Sequence, residues 1–181
     1  MTELVTGDDF AELFATFERT AWRWEAQPSY AEEYELGPLE AWRTGQPDDL
    51  EWMGDWLDDI RAATTAGKLF GRVRVFSDPP TDWQRWQIDR VMRANLDAGE
   101  DIRVLDARRA AALELPEQDF WIFDDRKVAV MHFDAATLAF TGAGIVTASE
   151  QVARYRRWQV RACDHALTLD DYLSTTPPGS T

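Results

Sequence analysis

One cysteine, two histidines and no long apolar run narrow this 181-residue chain before any pattern is read. The lone Cys163 excludes an internal disulfide. With only His132 and His165 beside it, a structural zinc site is disfavoured. A reduced, cytoplasmic setting is the expectation. No run reaches the roughly 18 apolar residues of a membrane span. The N-terminus lacks a basic segment followed by an apolar one, so no secretory signal is expected. No Ser, His and Asp spacing suggests a catalytic triad, and no glycine-rich loop matches a phosphate cradle. Gly142-Ala143-Gly144 lies in a strand-like run, where glycine marks a bulge or bend. Neither a catalytic set, a cofactor nor a metal is assigned.

Basic charge is also scarce, and unevenly so. The net charge is −14, and residues 1–64 hold 16 acidic against 4 basic side chains. Residues 65–181 hold 17 against 15. Such a surface repels a phosphate backbone, which disfavours direct nucleic-acid binding. The acidic half either attracts a basic partner or is a solvated surface.

Aromatic and β-branched residues, by contrast, are plentiful. The stretch Asp119–Asp134 holds two apolar runs, Phe120–Phe123 and Val128–Phe133, split by Asp124, Asp125 and Arg126. This reads as a β-hairpin, and its unbroken apolar character implies a sheet covered on both faces. Phe70–Phe76 reads as another strand, with Arg72 and Arg74 on one face and Val73 and Val75 on the other. Short strands are expected at Asp101–Leu105 and Leu138–Val146. A helix with Phe10, Leu13, Phe14, Phe17, Ala21 and Trp24 on one stripe is expected to run to about Trp24. A second carries Met53, Trp56, Leu57 and Ile60. Thr81 and Gln84 have capping-box spacing for a helix closed by Gly99, and Thr147 and Glu150 have it for a C-terminal helix. The resulting architecture is α/β: a mixed sheet of four or five strands with helices on both faces. Residues 1–67 form an acidic helical portion packed on a 68–173 core, and 174–181 are a disordered tail.

Several residues are candidates for function. Arg72 and Arg74 with Arg85 suggest an anion pocket that Trp121 and His132 would complete. Ion pairs docking the acidic N-terminal portion onto the sheet explain the same arginines without a ligand. An Arg74 engaged by an N-terminal acid would argue against the pocket. His132 beside Asp134 has general-base chemistry, and Asp124, Asp125 and Asp134 have oxygen-ligand chemistry. The competing readings are a rim histidine and ordinary turn acids. Cys163 sits late in a helix, where the dipole disfavours a thiolate. Nine Trp are more than such a domain needs to bury fully, and Trp22 and Trp52 lie off their helical stripes as candidates for a partner surface.

Phe17–Ala21, Gly99–Arg103, Asp119–Asp125 and Met131–Asp134 together resemble an uncharacterised actinobacterial domain family. Its members are commonly encoded beside helix-turn-helix regulators. The strand, helix, strand and hairpin order is similar to one half of the phospholipase-D-like fold. There the H-x-K motif is replaced by His132-Phe133-Asp134, which removes the phosphate-holding cation. The acidic surface, the surplus Trp and the absence of a catalytic set point to a non-enzymatic regulatory module that binds a protein partner, and the family resemblance implies a helix-turn-helix regulator as that partner. The alternatives are an anionic-ligand-binding domain or enzyme, and one component of a toxin–antitoxin-like pair.

Overall fold

The computed structural model describes residues 4–175. A seven-stranded mixed sheet, in the order β6-β5-β4-β1-β2-β3-β7, runs through the molecule. Parallel β1 (Thr20–Glu25), β2 (Leu69–Phe76) and β3 (Asp101–Asp106) form one part. The antiparallel meander β4 (Phe120–Phe123), β5 (Lys127–Phe133) and β6 (Phe140–Val146) joins β1 on its other side. A two-residue β7 (Leu167–Thr168) closes the β3 edge. The central hairpin is therefore as expected, and its strands are buried because both faces are covered.

Helices divide between those faces. Against Ala21, Phe70, Trp121, Phe123 and Ala129 pack α1 (Gly7–Thr16), α2 (Glu33–Arg43), α3 (Gly54–Thr65) and α4 (Asp82–Trp86). A π-helical turn, Gln87–Val91, links α4 to α5 (Met92–Asp97). The opposite face carries Trp22, Trp24, Val73, Phe120, Ile122 and Val128. It is covered by α6 (Ala107–Ala112) and α7 (Ser149–His165). A short α8 (Leu169–Thr175) packs Leu169 and Tyr172 against Phe76, Ile102 and Val104. No helix among the described residues is long and apolar enough to cross a membrane.

Several expectations need correction. The first helix ends at Thr16, and the residues assigned to its last two turns are instead β1, the middle strand of the sheet. Ala21 and Trp24 fit a helical stripe by spacing alone. In the fold Trp22 and Trp24 point to one face and Ala21, Arg23 and Glu25 to the other, a period of two. Residues 1–67 are thus not wholly helical. The strand count rises from four or five to seven, because β1 lay hidden and β7 is too short to signal. The capping box at Thr81 and Gln84 is present, but α7 begins at Ser149 with no side-chain cap. Of the expected tail, Ser174 and Thr175 end α8, and 176–181 lie outside the described residues.

What stops α1 and starts β1 is a carboxylate from the hairpin. Asp124 accepts hydrogen bonds from the backbone amides of Glu18 (2.9 Å), Arg19 (2.7 Å) and Thr20 (2.9 Å). Its own φ is +53°, a conformation that Asp and Asn tolerate and alanine resists. Asp124→Ala is expected to lower stability to urea by about 1–3 kcal/mol, through lost acceptors and backbone strain. Asp124→Asn, which keeps one acceptor and the conformation, should cost less than half as much.

Candidate functional site

The face under α2, α3 and α4 holds charges where a sheet ordinarily holds aliphatic side chains. Parallel register sets Arg23 beside Arg72 and Glu25 beside Arg74, while antiparallel register sets Trp121 beside Arg23. Glu25, Arg72 and Arg74 are fully buried. One carboxylate gathers the cations: Glu25 Oε1 lies 3.0 Å from Arg23 Nη1 and 3.2 Å from Arg72 Nη1, and Oε2 accepts from Arg74 Nε. A second acid completes each flank. Arg72 Nε donates to Glu100 Oε1 at 2.5 Å, and Arg23 Nη2 lies 3.6 Å from Asp119 Oδ2. Arg74 Nη1 donates to Gln87 Oε1.

Burial alone would raise the Glu25 carboxyl, but Arg23, Arg74 and Arg72 hold it far below its ordinary range. Asp119 accepts from the Ala26 amide at 2.8 Å and the Tyr30 hydroxyl at 2.5 Å. Burial and the adjacent Asp119 charge push the Tyr30 phenol well above its usual value. Glu100 and Glu35 are pushed up by burial. Strongly perturbed groups gathered on one wall of a cleft are a mark of a functional site.

Above this floor lies a cavity of about 430 Å³, within the usual range for small-molecule sites. Trp52, Trp56 and Trp83 wall it, and Glu32, Tyr34 and Asp55 also line it. The π turn places Gln87 and Val91 on its wall, and one-turn widenings of this kind are frequent at functional sites. Glu25 ends β1, the strand at which the chain's connections change direction: β2 and β3 were added on one side, the β4–β6 meander on the other. Ligands of open α/β sheets favour that position.

A family model described as a domain of unknown function, DUF6879, matches residues 8–174. The chain belongs to that family. Among curated proteins, none matches it.

In this DUF6879 chain the expected site residues separate. Arg72, Arg74 and Trp121 meet at the cavity. Arg85 does not, because it is exposed on α4 and paired with Asp82. His132 is exposed on the opposite sheet face, in alternation with Val128 and Val130. Trp22 is buried on the α7 side of the sheet, and so offers no partner surface. Trp52 is half-buried, stacked on Trp86 at 5.8 Å. Asp134 accepts from the Ala136 and Thr137 amides as a turn acid, and no cluster of three potential metal ligands occurs among the described residues. Burial raises Cys163.

Arg23, Glu25, Tyr30, Gln87 and Asn95 were not anticipated. For Arg23 and Glu25 the signal existed: Ala21-Trp22-Arg23-Trp24-Glu25 alternates with period two, and the overlapping helical stripe masked it. Arg74 is engaged by Glu25, an acid of the N-terminal portion, which counts against a pocket whose arginines await an anion.

Glu25→Gln would leave Arg74 without its carboxylate and take one of two from both Arg23 and Arg72, and a loss of about 3–5 kcal/mol is expected. The pH profile supplies a second check. Since the folded Glu25 titrates far below 4.5, the unfolded chain takes up its proton first, and stability falls as pH drops below that value. This acid limb should be shallower in Glu25→Gln, as followed by denaturation at stepped pH.

Proposed function

We propose that this chain binds a small organic molecule in the cavity between the sheet and helices α2 to α4. The carrying observation is the coincidence of an open aromatic-walled void with a network of six ionisable side chains, Glu25, Arg72, Arg74, Glu100 and Asp119 buried and Arg23 half-buried. Buried ion networks are costly to desolvate and are matched or surpassed in stability by apolar packing. A network this large under a cavity is therefore better explained by a binding role than by stability. Its salt links fix each guanidinium, so the floor is organised before a ligand arrives.

The regulatory, partner-binding role suggested by the acidic surface and the surplus Trp is a second reading. Tyr34 and Leu36, 61% and 53% exposed on α2, support it as large exposed side chains, and Tyr34 also lines the cavity. A helix-turn-helix regulator as the partner rests on the resemblance alone. The two readings are compatible if occupancy of the cavity alters the surface of α2.

Asp55 is exposed at the rim of the cavity, on the first turn of α3, so Asp55→Trp plugs the mouth without touching the core. Monocyclic aromatic fragments screened by saturation-transfer NMR should bind the unaltered protein. Their binding should be lost in Asp55→Trp while its unfolding transition is unchanged. Equal binding to both proteins, or no binding to the unaltered one, would overturn the proposal.

A further inference from the structure

We infer that the ligand is an organic cation, an amine or quaternary ammonium group on an apolar body, held by Glu35 and Glu32 at the aromatic mouth of the cavity. The inference rests on the cavity being a ligand site and names what that site takes.

The three cations of the void are each already engaged. Arg23 is paired with Glu25 and Asp119, Arg72 with Glu25 and Glu100, and Arg74 with Glu25. Three acids thus answer three guanidiniums, and the floor carries little net charge. Glu32, Glu35 and Asp55 also line the void, and none of them forms an ion pair among the described residues. The upper cavity is therefore anionic, set in the N-terminal third of the chain, which carries most of the net negative charge. A small anion entering it meets carboxylates without an ion-pair partner before it reaches a neutralised floor.

Glu35 is also aimed. Trp83 Nε1 donates to its Oε2 at 2.9 Å and Gln87 Nε2 approaches its Oε1 at 3.5 Å, so one rotamer is held. Each oxygen keeps a free lone pair for a ligand N–H or for a cationic group. Burial pushes the carboxyls of Glu35 and Glu32 up, opposed at Glu35 by Trp83 and Arg74 and at Glu32 by Arg23. A cation seated between them would supply the missing counter-charge. Tyr34 and Trp52, with ring centroids 5.9 Å apart, add π surface next to these acids. Such surface attracts ammonium groups when both are withdrawn from water.

Three probes of one shape separate charge from fit: benzyltrimethylammonium, its uncharged carbon analogue neopentylbenzene, and phenylmethanesulfonate. By titration calorimetry or ligand-observed NMR, the cation should bind at least about tenfold more tightly than the hydrocarbon, and the sulfonate more weakly than either. Glu35→Gln keeps an acceptor for Trp83 and removes the charge. It should weaken the cation about tenfold and leave the hydrocarbon unchanged. Glu32→Gln should act in the same direction. Stronger or equal binding of hydrocarbon or sulfonate overturns the cation inference and leaves the cavity reading standing, as does a cation affinity indifferent to Glu35→Gln. If none of the three saturates the unaltered protein, both fall.

Discussion

A single buried carboxylate, Glu25, sets the terms for the rest of this structure. It ends the central strand and is shared by guanidiniums from its own strand and from β2. In a dry site each of those cations would be intolerable alone, and the carboxylate would be equally so without them. Neither strand could shift register by one residue without sending its charges to the α7 face, where Val73, Val75, Trp22 and Trp24 now pack. The network therefore specifies alignment of the parallel pair as well as lining the cavity.

The N-terminal half follows from this constraint. Its acids are not simply a solvated coat: Glu25 lies at the centre of the sheet, and Glu35 and Glu32 look into the void above it. Two aspartates of the meander bind the first strand at its ends. Asp124 holds the amides entering β1, and Asp119 holds the Ala26 amide and Tyr30 hydroxyl leaving it. Because β1 lies between β2 and β4, the N-terminal segment is integral to the sheet and not an appended module.

How much of this the sequence disclosed depended on whether local pattern and tertiary role agreed. They agreed at the hairpin, where doubly apolar strands meant two covered faces, and at Thr81 and Gln84, where spacing alone defines the cap. The alternation of Arg72 and Arg74 with Val73 and Val75 also identified a charged sheet face. Pattern and role conflicted at Ala21 and Trp24, whose spacing suits a helix while the chain pairs with two neighbouring strands. The loss of β1 hid Arg23 and Glu25, and with them the reason the arginines are buried. His132 was misplaced for lack of register: only pairing shows that Trp121 shares a face with Ala129, and so that His132 points away. Arg85 was misplaced because its helix turns it outward to Asp82. The π turn that carries Gln87 has no local signature in the residues.

The most direct test is a high-resolution crystal structure of the ligand-free protein. The Glu25 carboxylate should bridge Arg23, Arg72 and Arg74, with an open cavity of about 430 Å³ above them and Glu35 fixed by Trp83. A guanidinium turned out to solvent, or Tyr34 and Trp83 collapsed onto the arginines so that no cavity remains, would contradict this arrangement.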